Sequence, residues 1–118
     1  MNSETVFLPE PDEMSQHAAA AANLLKVLAN PRRLQLLCVL GDDELSVGML
    51  NARVPLSQSA LSQHLALLRA EDLVQTRRES QTIFYRVTPG PALDVIHVLY
   101  NHFCDAGKSL KSRKGRRV

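Results

Sequence analysis

The sequence predicts a mainly α fold with a β-hairpin wing: a winged helix–turn–helix in the order ααααββα. Three observations predict it. Up to residue 70 apolar residues recur at helical spacing, and Pro55 separates the last two helical segments by only a short break. Directly afterwards "LVQTRRE" and "TIFYRV" read as β-rich runs joined by the polar pair "SQ", the pattern of a hairpin. A final apolar helix follows, and a helix pair succeeded by a two-stranded wing is the winged helix–turn–helix plan.

Residues 1–12, with Pro9 and Pro11, read as a loose arm. From Met14 to Ala29 the Ala-rich "MSQHAAAAANLLKVLA" is a strong helix former. "NPRRLQLLCVL" starts a second helix, with Asn30 as cap and Pro31 at the first helical position, where its missing N–H costs nothing. Gly41 and "DDE" end it. Ser46 caps the short helix "SVGMLNARV", closed by Pro55, and Ser57 caps a fourth within "LSQSALSQHLALLR". Beyond the hairpin, Thr88 and Pro89 open a last helix whose "ALDVIHVLYNHFC" runs to about Cys104. The organisation expected is an arm (1–12), one folded domain (13–105) and a basic tail (106–118).

A chain of 118 residues supports one modest core, and 45% hydrophobic with 22% charged residues is ordinary for a globular protein. The N-terminus is acidic with no apolar signal region, and the Ala18–Ala22 run stops at Asn23, far short of a membrane span. The expectation is a cytoplasmic protein with no membrane partner, whose two cysteines stay reduced. A permanent structural disulfide is therefore disfavoured, while a transient one remains open. The net charge of +2 hides an uneven distribution: "KSLKSRKGRRV" holds six bases and no acid, whereas residues 1–30 hold four acids and one base. Such a basic arm suits nucleic acid or an acidic surface, and a solvated terminus explains the composition equally well.

Turning the fourth helix at about 100° per residue sorts it into two sides. Ala60, Leu61, His64, Leu65, Leu67 and Leu68 form a core arc; Gln58, Ser59, Ser62, Gln63, Ala66 and Arg69 form the other. The second arc offers short donors and acceptors with almost no charge, which suits base edges in a major groove: Gln pairs with adenine, and Ser serves several bases. In isolation a solvated polar face is an equal reading; the short helix before it and the hairpin after it favour DNA. Gln58, Ser59, Ser62 and Gln63 are the candidate base readers. His64 falls among the leucines and reads as structural and partly buried. Candidates for gripping phosphate are Arg77 and Arg78 on the first wing strand, Arg86 on the second, and Arg53 or Arg69 at helix ends.

The first and last helices are apolar on nearly every side and need a cover, most simply a second subunit. A homodimer would present two reading helices to double-stranded DNA at an inverted-repeat operator, with half-sites ~34 Å apart. Cys38 and Cys104 each stand near the end of a long helix and, taken singly, are small core hydrophobes; they meet only if those helices pack together. His17, Asp94, His97, His102 and Cys104 offer metal donors, but with no CxxC or CxC no metal site or cofactor is assigned. Enzyme function is not expected either: a thiol oxidoreductase or sulfur carrier is the remote alternative, and neither cysteine stands at a helix N-terminus.

"LANPRRLQLLCVL", "LSVGML", "LSQSALSQHLALLR" and "VQTRRESQTIFYRV" together resemble the ArsR/SmtB winged-helix repressors over about residues 14–104. Within that family, Cys38 on the second helix and Cys104 at the end of the last resemble the dithiol, persulfide-responsive branch of HlyU-, BigR- and SqrR-type regulators. The resemblance implies a homodimer joined through its first and last helices. It also implies repression relieved when reactive sulfur or an oxidant links the two thiols within one subunit. Two departures weaken the metal-sensing alternative, zinc-type included. Positions 45–50 read "LSVGML" without the thiolate cluster of arsenic and cadmium sensors, and Asp94, His97 and His102 do not reproduce the zinc-sensor spacing. An anti-repressor would share the fold and sites.

Overall fold

The computed structural model describes residues 11–104, in which five helices and three strands follow one another. They are α1 (Pro11–Leu28), α2 (Pro31–Leu40), β1 (Leu45–Ser46), α3 (Val47–Arg53), α4 (Gln58–Ala70), β2 (Val74–Glu79), β3 (Thr82–Val87) and α5 (Pro91–Phe103). The mainly helical fold with a β wing is as expected; most of the arm and the whole basic tail lie outside the described residues. The caps lie where the sequence puts them. Asn30 Oδ1 accepts from the N–H groups of Arg32 (3.0 Å) and Arg33 (3.1 Å), and Ser46 Oγ accepts from Met49 N–H (3.2 Å). Each capping oxygen satisfies donors that have no partner inside the helix.

Two boundaries and one element differ from expectation. α1 begins three residues before Met14, because proline is tolerated at a first helical position and Glu13 complements the positive end of the helix dipole. α5 begins at Pro91 rather than at Thr88 and Pro89. Thr88 still belongs to the sheet, since its N–H donates to Leu73 O (2.9 Å); Gly90, at φ 149°, then makes the reversal into the helix. The third difference is β1, whose two residues are too few to show any period in sequence.

β1 makes the sheet three-stranded and antiparallel in the order β1-β3-β2. Its register pairs Leu45 with Tyr85 and Ser46 with Phe84, while β2 and β3 pair from Val74–Val87 out to Glu79–Thr82. Opposed residues share a face. Val74, Thr76 and Arg78 therefore lie on one side with Val87, Tyr85, Ile83 and Leu45, and this side meets the helices, because Val74, Val87 and Leu45 are buried. Gln75, Arg77, Glu79, Phe84 and Arg86 occupy the opposite side. α2 runs through the centre, with Leu36, Leu37 and Leu40 fully inaccessible. Each such leucine contributes on the order of 2 kcal/mol by burial. Leu61, Leu65 and Leu68 fasten α4 to the same core.

Candidate DNA-reading face and thiol pair

α3 and α4 form the helix–turn–helix, and its turn is pinned from within. Asn51 Nδ2 donates to Val54 O (3.3 Å) and to Leu56 O (3.0 Å), satisfying two carbonyls between the helices. Ser57 Oγ then accepts from Ala60 N–H at 3.1 Å and starts α4. With Leu61, Leu65 and Leu68 at most 3% exposed, the rotation of α4 about its axis is fixed. Gln58, Ser59, Ser62 and Gln63 consequently all face solvent, Ala66 and Arg69 continue that surface, and His64 is half-buried on the core side. Asn51 escaped notice in the sequence because it stands inside a short helix; only the position of the turn gives it a role.

The arginines divide. Arg77 is held on the outer face of the wing: its Nε lies 3.1 and 3.0 Å from the two carboxylate oxygens of Glu44, and its Nη2 lies 2.8 Å from Glu44 Oε1. Its Nη1 donates to Glu79 at 3.1 Å, and the guanidinium carbon lies 4.7 Å above the Phe84 ring centre. The hydrogen bond from Arg77 holds the Glu44 carboxyl below the usual range, and the same bond raises the arginine further. Arg78, on the opposite face, is exposed, as are Arg53, Arg69 and Arg86, and none of these four makes an ion pair among the described residues. Glu44 was legible only as part of the acidic run ending the second helix.

The thiols lie where α2 and α5 pack together. Cys38 is half-buried against the core, and Cys104 is exposed at the end of α5, its N–H bonded to Tyr100 O at 2.8 Å. Burial pushes the Cys38 thiol up, and the charge of the nearby Cys104 thiolate pushes it further. A second link joins the same elements: His97 Nε2 lies 2.8 Å from Asp42 Oδ1, just beyond the end of α2. The partner of His97 is therefore Asp42 and not Asp94, which is exposed one turn away on its own helix. His17 and His102 are exposed, and no group of three His, Cys, Asp or Glu side chains converges among the described residues.

α1 and α5 also carry large apolar side chains into solvent: Leu25 is 56% exposed, Val98 66% and Phe103 72%. No helix among the described residues is long and apolar enough to cross a membrane.

Comparison with known proteins places this geometry. The family model for bacterial regulatory proteins of the arsR family matches residues 30–76, from the cap of α2 into the wing. The transcriptional activator HlyU of Vibrio cholerae is 52% identical over 96 residues, 81% of this chain and 89% of that protein. Its solved structure superposes with a TM-score of 0.74 at 53% identity, covering 77% of this chain and 99% of that one. The biofilm growth-associated repressor of Xylella fastidiosa is 41% identical over 108 residues, 92% of this chain and 95% of the relative. A more distant solved structure from Mycobacterium bovis, described as a homodimeric winged helix–turn–helix DNA-binding domain, shares the fold at a TM-score of 0.68 and 24% identity, covering 84% of this chain and 92% of that one.

Proposed function

The chain belongs to the arsR family of bacterial regulatory proteins, and from that premise we propose that it is a homodimeric, cytoplasmic repressor released from its operator by sulfur chemistry at Cys38 and Cys104. It is a DNA-binding transcriptional regulator and not an enzyme. The observation that carries the finer reading is the placement of two unequal free thiols, one exposed and one half-buried with a raised pKa, on helices α2 and α5, which pack together. Gln58, Ser59, Ser62 and Gln63 read the bases of an inverted repeat, and the exposed apolar residues of α1 and α5 are covered by the second subunit.

The chemistry suits this asymmetry. Cys104, the accessible thiol, takes a sulfur atom from an organic hydropersulfide RSSH, giving Cys104–SSH and releasing RSH. The Cys38 thiolate then attacks the sulfur bound to Cys104, and the Cys38–Cys104 disulfide forms as hydrogen sulfide leaves. Both thiols are oxidised and the hydropersulfide is reduced to RSH and hydrogen sulfide; further donors would lengthen the bridge. A bridge clamps α2 to α5, and α2 also packs on α4. Shifting the preferred spacing of two reading helices by a few kcal/mol is enough to lose about 100-fold or more in affinity.

The test is a gel shift on DNA from directly upstream of the protein's own coding sequence, with and without polysulfide, read alongside intact mass. The expected result is a shift abolished by polysulfide as a Cys38–Cys104 bridge appears in the mass. A double Cys→Ser variant that still lets go of DNA on polysulfide treatment overturns the switch.

A further inference from the structure

The bond between His97 and Asp42 takes no part in the sulfur chemistry, yet it joins the same two stretches of chain. His97 Nε2 stands 2.8 Å from Asp42 Oδ1. Cys38 lies about one helical turn before Asp42, and Cys104 about two turns after His97, so Cys104 comes round to the same side of α5 as His97. We propose that His97 and Asp42 are a positioning pair, holding α5 against α2 in the register that lets Cys38 reach the sulfur on Cys104. The inference rests on the sulfur switch proposed for the two thiols.

Within the subunit α5 is anchored at one end. Ala92 and Ile96 are buried, and Leu93 and Val95 pack against the core. Beyond Ile96 none of the described residues is buried, so core packing leaves the Cys104 end of the helix free to swing. Among the described residues, the side-chain hydrogen bond that crosses from this half of α5 to another element is the one from His97 to Asp42. Asp42 is a firm anchorage. Gly41, at φ 50°, turns the chain at the end of α2; its N–H donates to Leu37 O at 2.9 Å, and Asp43 N–H donates to Leu40 O at 2.7 Å. The carboxylate between these two bonds is thereby fixed to the helix that carries Cys38. Since α2 and α5 pack together and the charge of Cys104 reaches Cys38, the helices run in opposite directions, with the thiols at one end of the contact and His97 and Asp42 at the other.

Bridge closure is the step that depends on this register. The Cys38 thiolate attacks Sγ of the Cys104 persulfide, the Cys38–Cys104 bond forms, and the terminal sulfur leaves as hydrogen sulfide. An attack within one chain gains from every constraint that holds its reactants together. Uptake of sulfur by Cys104 from a donor in solution gains nothing from it. The two side chains are 43% and 52% exposed, and a pair so exposed shifts closure by no more than about 5-fold.

The test separates the two steps on the full chain, with glutathione hydropersulfide as donor and intact mass of acid-quenched samples as readout. A Cys38→Ser background reports sulfur uptake by Cys104 alone, and Asp42→Ala is expected to leave that rate unchanged. With both cysteines present, Asp42→Ala and His97→Ala are each expected to close the bridge about 5-fold more slowly, and the double variant no more slowly than either. Asp42→Asn keeps an oxygen that accepts from Nε2–H and is expected to stay within about 2-fold of the wild type. The equilibrium moves with the rate. In a buffer where two glutathione molecules reduce the bridge and leave as glutathione disulfide, the Ala variants should be about 5-fold easier to reduce, about 20 mV for a two-electron couple. If the Ala variants close and reduce as the wild type does, if their effects multiply in the double variant, or if uptake slows as much as closure, the positioning pair is wrong while the sulfur switch stands. If the wild type forms no bridge with the donor, the sulfur switch falls, and the positioning pair with it.

Discussion

Arg77 and Glu44, 33 positions apart, are joined by hydrogen bonds from both Nε and Nη2 of the guanidinium, which ties the wing to the segment leaving α2. The wing is thereby fastened to the helix that carries Cys38. The same bonds occupy one of the three wing arginines that the sequence offers to DNA, leaving Arg78 and Arg86 unpaired among the described residues. Removing Glu44 should therefore help DNA binding. Glu44→Gln is expected to raise affinity for a scrambled version of the protein's own upstream duplex by about 3-fold and to steepen its salt dependence, as Arg77 becomes available to phosphate. The melting temperature should barely move, because exposed ion pairs contribute little. A variant that binds the scrambled duplex less tightly would show that the bound form of Arg77 positions the wing.

The latch also has a pH signature. Glu44 has a lowered pKa, so its stabilising contribution is present above the unfolded value of about 4.3 and is lost only as pH falls through the lower folded value. In nuclear magnetic resonance titrations the Arg77 Nε–H signal should remain sharp at pH 5 and broaden below the ordinary glutamate range. Broadening at pH 5 to 6 would contradict the lowered pKa.

Unequal thiols predict ordered alkylation. At pH 7 iodoacetamide should modify Cys104 first, with Cys38 at least about 10-fold slower, because Cys38 is half-buried and its thiolate fraction is suppressed. The Cys38 rate should rise as pH climbs past the ordinary thiol range of about 8.5. The sign for stability follows: a raised pKa favours the folded state while the thiol is neutral, and that contribution is lost as pH rises through the folded value. Cys38→Ser should therefore flatten the alkaline fall of the urea midpoint. Equal labelling of the two thiols at pH 7 would remove the asymmetry on which the order of sulfur transfer rests.

How far the sequence reached depended on the range of the interaction. The orientation of α4 was legible because three turns of helix repeat one period, and the structure turns Gln58, Ser59, Ser62 and Gln63 outward with His64 half-buried. The caps at Asn30, Ser46 and Ser57 were legible because a cap acts over two or three residues. The start of α5 was not, because Thr88 resembles a cap yet bonds to Leu73, a partner visible only once β2 and β3 are paired. The Glu44 latch was illegible for the same reason. It needs β1 to bring residue 44 beside the wing, and β1 has only two residues.

Asn51 tests whether the turn sets the reading geometry. Asn51→Ala leaves the carbonyls of Val54 and Leu56 without their side-chain donor, at a cost of about 1–2 kcal/mol for two partly exposed bonds. If the turn does nothing but hold the fold together, specific and non-specific DNA binding should fall together with the melting temperature. The structure predicts otherwise: α4 keeps its leucine anchors, so the domain still folds, but the loosened turn lets α4 tilt. Phosphate contacts tolerate a tilt that base contacts do not, since bidentate base pairing is directional and charge attraction is not. Asn51→Ala should accordingly lose about 10-fold in affinity for the upstream duplex and less than about 2-fold for the scrambled one, measured at a temperature where circular dichroism shows both proteins fully folded. Equal losses on the two duplexes would mean that Asn51 serves stability alone.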